Sequence, residues 1–290
     1  MSKNSFSLLH KDFNLDLFIR NALAEDIRSG DHTTFSTISE KVKGKSQLII
    51  KDEGILAGVS LAEKIFHWYD KNLRMKVFVN DGAKVKKGDI AFTIEGCVRS
   101  ILTTERLVLN CLQRMSGIAT QTSKLVQLCK PHKTKLLDTR KTTPLIRGLE
   151  KWAVRIGGGY NHRYGLYDMI LIKNNHIDFA GGIQNAIISA NDYLKKKKLK
   201  LKIEIEARNL KEVQEIISIG NVHRVLLDNF PPAGIKKAVQ LINGKLETEI
   251  SGGITEKNIR TYASLGADYI SIGALTHSVR SLDMSLTAVK

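Results

Sequence analysis

Cysteine is scarce: there are three in 290 residues, Cys97, Cys111 and Cys129. None forms a C-x-x-C pair, and none belongs to a cluster of cysteines and histidines at metal-ligand spacing. Those absences exclude a disulfide framework and a clustered zinc site, and leave reduced, structural thiols as the expectation. No apolar run approaches the length needed to span a bilayer. The first residues lack the form of a signal peptide, because Asp12, Asp16 and Arg20 interrupt their apolar positions. A cytoplasmic protein is expected. A long Ser/Pro/Gly linker is also missing, so any two domains should pack firmly. Acidic residues are few beside basic ones, 29 against 45, for a net charge of +16. That excess suits a polyanionic ligand or nucleic acid. Much of it is lysine in surface-like places, notably residues 195–198 after the helical pattern of residues 183–194. Read as a solvated loop, this tract has no interleaved aromatics and no motif of a nucleic-acid binder.

What is present divides by rhythm. Leu15, Phe18, Ile19, Ala22 and Leu23 recur at helical spacing, and residues 29–34 read as a loop after them. Residues 47–50 and 54–59 read as strands, 61–69 as a helix, and 75–79 and 90–94 as strands around glycine- and lysine-rich turns. Together these make a small N-terminal α+β domain. Thr103 or Thr104 then caps a long helical pattern, which puts Arg106 in its first turn, where a cation opposes the helix dipole.

From Lys135 the chain alternates apolar runs with helical patterns. The runs end at Asp138, Lys173, Glu206, Asp228, Ser251 and Gly273. Continuous apolar strands alternating with helices argue for a parallel sheet, and so many units argue for a barrel. The carboxyl ends of barrel strands converge on one face, so these residues should share it. Glu204 and Glu206, two apart on one strand, point to the same side. Five basic or histidine side chains, Arg140, Lys141, His162, Arg163 and Lys173, sit on the first two connections. Each like pair at about 4 Å repels by roughly 4 kcal/mol at an effective dielectric of about 20. Stability gives no reason to gather them, and a small, multiply charged anion does. Ser251-Gly252-Gly253 and Gly273 follow consecutive strands, where barrel enzymes often hold a phosphate against backbone N–H groups.

Several segments in order carry a family resemblance: EDIRSGDHTT (25–34), TTERLVLNCLQRMSGIAT (103–120), LDTRKTTP (137–144), LEKWAVRIGGGYNHRYGLYDMILIK (149–173), LLDNF (226–230), SGGIT (251–255) and DYISIGALTHS (268–278). In these the chain resembles quinolinate phosphoribosyltransferase nearly end to end. The resemblance implies an α+β domain over residues 1–115, with the tail 277–290 packing on it. It implies an incomplete, about seven-stranded α/β barrel over residues 116–276, and a homodimer whose active sites are shared.

The implied reaction joins quinolinate to 5-phosphoribosyl-1-pyrophosphate with Mg²⁺, giving nicotinate mononucleotide, pyrophosphate and carbon dioxide. By motif, Arg106, Arg140, His162, Arg163 and Lys173 would hold the quinolinate carboxylates, Arg106 from the partner subunit. Lys141, Glu206 and Asp228 would be catalytic. Lys141, Glu204, Glu206, Asp228, Ser251, Gly252, Gly253 and Gly273 would hold the phosphoribosyl pyrophosphate. Mg²⁺ would be bound mainly through pyrophosphate, with Glu206 and Asp228 as the carboxylates in reach. Two departures stand out: Asn174 replaces the family's usual aspartate, and Leu145-Ile146 replaces its usual Gly-Leu. The competing readings are a paralogue that uses another acid such as nicotinate, and a noncatalytic nucleic-acid binder.

Overall fold

Asn14 opens the first helix, α1 (Leu15–Ile27): its side-chain oxygen accepts from the Leu17 N–H at 2.9 Å, satisfying an otherwise orphaned donor. The structure is a computed structural model that describes residues 5–289; residues 1–4 and 290, the ends of the expected domain and tail, lie outside them. Residues 29–34, expected as a loop, instead lead into a short helix, α2 (His32–Thr37). Asp31 caps it by accepting from the Thr34 N–H at 3.0 Å. There follow β1 (Lys43–Ile50), β2 (Gly54–Ile55), α3 (Val59–Tyr69), β3 (Arg74–Val77), β4 (Lys84–Val85), β5 (Ile90–Cys97) and α4 (Val98–Cys129). Next are β6 (Lys135–Leu137), α5 (Arg147–Ile156), β7 (Ile170–Ile172), α6 (Asn174–Phe179), α7 (Ile183–Lys197) and β8 (Ile203–Ala207). The chain ends with α8 (Leu210–Ile219), β9 (Arg224–Asp228), α9 (Pro232–Ile242), β10 (Glu247–Ser251), α10 (Ile259–Ala263), β11 (Tyr269–Ser271), α11 (Ala274–His277) and β12 (Met284–Ala288).

The chain divides into two compact units. The first takes in the chain up to Ser123, then Lys141–Gly158, and then everything from Ala274; the second is Lys124–Arg140 with Gly159–Gly273. This cut differs from the expected boundary between residues 115 and 116, because the segment bearing α5 packs into the first unit. Trp152 is fully buried there, with its ring 5.2 Å from that of Phe6. Gly148 leaves room for the Phe13 ring, which a Cβ at that position would meet at 2.3 Å. The first unit's antiparallel sheet runs β12-β1-β5-β3. Its register pairs Ser46 with Ala288 and Ile50 with Met284, so the carboxyl-terminal strand completes this sheet.

Helix α4 starts at Val98, earlier than either expected threonine cap. Thr104 bonds back to the Ser100 carbonyl at 2.7 Å, a mid-helix habit of threonine rather than a cap. Arg106 therefore lies about two turns inside, and the expected conflict with the helix dipole is absent. The lysine tract is corrected too. Lys195, Lys196 and Lys197 form the last turn of α7, where cations favour the dipole, and Lys198 is its left-handed cap.

In the second unit six parallel strands lie in the order β6-β11-β10-β9-β8-β7. Every expected strand end falls at or within two residues of an observed one. Strands β6 and β7 are the two edges, so hydrogen bonds do not close the barrel. Where a seventh strand would stand, Tyr160 makes a single parallel bridge to Leu137. Ile205, Val225, Leu227, Ile250 and Ile270 are fully buried, and among them stand the buried acids Glu204 and Glu249. Among the described residues no helix is long and apolar enough to cross a membrane. All three cysteines are free thiols, and burial pushes Cys111 up to about 12.

Candidate active site

The carboxyl ends of the second unit's strands carry most of the expected site. Lys173, just before α6, places its Nζ 3.1 Å from Glu206 Oε1 on β8, while the Asn174 N–H donates to Glu206 Oε2 at 2.9 Å. Register puts Asp228, at the end of β9, beside Ser251, at the end of β10. Asp138, after β6, has a different task. Fully buried, it accepts from Asn161 Nδ2 at 2.6 Å and from the His162 N–H at 2.9 Å. It therefore latches the loop that bears His162 and Arg163.

Arg163 donates from Nη1 to the Met169 carbonyl at 3.2 Å. Burial, and then the neighbouring Arg140 guanidinium, pull its pKa below the usual arginine value. Arg140 Nε is buried with no acceptor. A buried donor left without a partner costs about 1–3 kcal/mol. Two adjacent guanidinium groups, one with an unanswered N–H, have the chemistry to receive a carboxylate or phosphate.

Behind them is a charged quartet inside the barrel. His162 Nε2 lies 3.0 Å from Glu204 and 3.4 Å from Glu249, and Arg224 Nη1 lies 2.9 Å from Glu249 and 4.0 Å from Glu204. Glu204 and Glu206 are both buried, yet the first turns to His162 and the second to Lys173. Burial opposes charge on His162, hydrogen bonds to Glu204 and Glu249 push its pKa upward, and the Arg163 N–H held on Nδ1 stands against the charged ring. Burial, followed by repulsion from Glu249, lifts Glu204 to about 7. The Arg163 N–H donates to His162 Nδ1 at 2.7 Å, which needs a lone pair there, so the ring's own hydrogen sits on Nε2. A second proton on the ring would have to take that Nδ1 lone pair, so the one further proton that lets the two carboxylates balance Arg224 sits on Glu204.

Glu249 and Arg224 escaped the sequence reading, since each looks like a charge flanking a strand. The signal was there: Glu249 lies two residues before Ser251, hence on the same side of β10. His162, Glu204 and Glu249 bring three donor atoms within 4.8 Å of one another, as a metal would require. Arg224 already supplies the neutralising charge at that spot, so the donor set does not call for a cation. The hard oxygens of Glu206 and Asp228 suit Mg²⁺ better, because that ion binds through one or two carboxylates plus substrate phosphates.

At the expected phosphate loop, Gly252 and Gly253 have φ of 97° and 62°. A Cβ on Gly252 would lie 2.1 Å from Asn229 Oδ1, whereas Gly253 faces open space. Only glycine meets both demands without strain. Gly273 follows β11 at the neighbouring strand end.

Arg106 and Lys141 belong to the first unit, where both are exposed. The Lys141 carbonyl accepts from Thr276 Oγ1 at 2.7 Å, and the Thr276 carbonyl accepts from Arg114. Arg114 pairs with the buried Glu150 at 2.7 Å, which also accepts from the Thr143 N–H and hydroxyl. In the same segment Leu145 has φ 67° and is 91% exposed.

Residues 31–116 match the family described as "Quinolinate phosphoribosyl transferase, N-terminal domain", and residues 118–287 match its C-terminal domain. A rice (Oryza sativa subsp. japonica) protein named "Nicotinate-nucleotide pyrophosphorylase [carboxylating], chloroplastic" is 44% identical over 96% of this chain and 78% of its own length. A Bacillus subtilis "Probable nicotinate-nucleotide pyrophosphorylase [carboxylating]" is 39% identical over 94% of this chain and 92% of its own. Among solved structures, NadC from Streptococcus pyogenes superposes with a TM-score of 0.90 at 38% identity, covering 97% of this chain and 99% of that one. The nicotinate-nucleotide pyrophosphorylase from Francisella tularensis gives 0.88 at 41% identity, covering 95% and 96%. Human nicotinic acid phosphoribosyltransferase, at 11% identity and a TM-score of 0.61, shares the fold alone.

Proposed function

Because the chain belongs to the quinolinate phosphoribosyl transferase family, we propose that it joins quinolinate to 5-phosphoribosyl-1-pyrophosphate, releasing nicotinate mononucleotide, pyrophosphate and carbon dioxide. It is a pentosyltransferase of NAD biosynthesis. The observation that carries the site assignment is the buried, unanswered Nε of Arg140 beside Arg163. Arg140, Arg163 and Lys173 hold the two carboxylates of quinolinate, with His162 at their back. Paired guanidinium groups match planar carboxylates, and a monocarboxylate such as nicotinate would leave one cation unmatched. Arg106, exposed on α4, completes the acid site of the partner subunit in a homodimer.

The phosphorylated sugar lies across the other strand ends. Gly252 and Gly253 let the backbone approach the 5′-phosphate closely, with Ser251 and Gly273 beside them. Glu206 and Asp228 face the ribose hydroxyls and oppose the positive charge that grows on the sugar as its C1 bond to pyrophosphate lengthens. Lys141, next in the chain to Arg140, offsets charge on the leaving pyrophosphate. Glu206 and Asp228 would hold Mg²⁺ together with the pyrophosphate, and the ion would supply charge neutralisation there. Glu204 holds His162 and so serves the acid side rather than the sugar.

No covalent nucleophile from the chain is needed. The pyridine nitrogen attacks C1 of the ribose while the C1–O bond to pyrophosphate breaks, so catalysis is positioning plus electrostatics. The ring nitrogen then carries a positive charge and stabilises the electron pair left on C2 when the 2-carboxylate departs as carbon dioxide. A proton from water fills the vacated ring position. The test is carbon dioxide release from carboxyl-labelled quinolinate with the sugar donor and Mg²⁺. Stoichiometric release with nicotinate mononucleotide is expected; turnover of nicotinate but not quinolinate would overturn the reading.

A further inference from the structure

The quartet behind the guanidinium groups crosses the barrel from one end of its strands toward the other, and every link is a short polar contact. At its base Arg224, the first residue of β9, is fixed on three sides. Its Nη2 lies 3.1 Å from Glu247 Oε2, its Nε donates to the same oxygen at 3.3 Å, and its guanidinium stacks on the Tyr269 ring at 4.0 Å. From there Nη1 reaches Glu249, Glu249 reaches His162 Nε2, and His162 Nδ1 takes the backbone N–H of Arg163. Glu204 closes the group from β8. Both glutamates are fully buried, and His162 is 6% exposed with its two ring nitrogens already engaged.

We propose that Arg224 and Glu249 are positioning residues for acid binding: they act through His162 to fix the backbone, and so the guanidinium, of Arg163. Neither touches substrate. The proposal rests on the assignment of Arg163 to quinolinate. Its geometric basis is the tautomer, because only a ring with hydrogen on Nε2 and a lone pair on Nδ1 can serve the carboxylates and the Arg163 N–H together. A purely structural role would be felt equally by both substrates. A positioning role is felt by the acid alone, since the sugar donor is held at other strand ends.

The experiment combines kinetics with nitrogen NMR. Glu249→Gln keeps the shape of the side chain but removes its charge. The expected result is a KM for quinolinate raised about tenfold or more, with the KM for phosphoribosyl pyrophosphate within about twofold of the wild type. Arg224→Lys should shift quinolinate KM in the same direction. An unchanged quinolinate KM, or equal changes for both substrates, overturns the proposal. Should the variants fail to fold, ¹⁵N-histidine spectra of the wild-type protein still decide. His162 with hydrogen on Nε2 and not on Nδ1 supports the chain of contacts, and hydrogen on Nδ1 overturns it. Absence of any quinolinate turnover by the wild type would instead count against the functional assignment, without altering the tautomer result.

Discussion

If Arg140 and Lys173 hold the acid, the fold should have little need of either. Lys173 is half-exposed with one carboxylate partner, and Arg140 retains a buried donor with none. Removing either should cost the fold little and the reaction nearly everything. Arg140→Ala and Lys173→Ala are each expected to abolish quinolinate turnover while the thermal midpoint stays within a few degrees of the wild type. Near-normal kinetics would refute the assignments. Leu145 is the converse case. A left-handed L-residue costs roughly 1–2 kcal/mol, and Leu145 recovers nothing by burial. Glycine there would give back about 0.4–1 kcal/mol through the entropy of the unfolded chain. Leu145→Gly should therefore stabilise the protein by about 0.5–1 kcal/mol in denaturant titration. At this scale the cations were legible in the sequence because five of them crowd two loops. Arg224 and Glu249 were not, because a lone charge on a strand carries no mark of which buried partner it meets.

Helix α2 shows how one side chain can decide an element. Asp31 accepts from the Thr34 N–H, and Thr103 Oγ1 on α4 donates to its other oxygen at 3.2 Å. Hydrogen bonds from Thr34, first through its side chain and then its backbone, hold the Asp31 carboxyl below the ordinary aspartate range. A depressed carboxyl contributes stability above its unfolded pKa and loses it as pH falls through the folded one. Asp31→Ala should cost about 1 kcal/mol near neutral pH, and the gap from wild type should close as acid protonates Asp31. Equal midpoints at pH 7 would contradict the cap. The strands of the second unit were readable from continuous apolar runs that end in charge. Helix α2 and the early start of α4 were not, since a six-residue helix has too few turns to show a period and threonine reads as a cap wherever it stands.

On the scale of the whole molecule, the sequence motifs pointed to the two-part organisation, but not to the segment that rejoins the first unit. The segment from Lys141 to Gly158 leaves the barrel sequence and joins the first unit because Trp152 and Gly148 have partners there, and pairing over such distances leaves no local trace. If Arg106 serves the partner's acid site, inactive Arg106→Ala and Lys173→Ala proteins should regain activity when mixed. Up to about a quarter of wild-type activity is expected after random subunit exchange, since half the dimers are mixed and one of their two sites is intact. No recovery, with exchange verified, would count against shared sites. The central claim is that cations gathered at the strand ends are there to be neutralised by a diacid. Its most direct test is calorimetric titration of the wild-type protein with quinolinate and, separately, with nicotinate. Binding of quinolinate at least about tenfold tighter than nicotinate is predicted; equal affinity for the two acids would contradict the account.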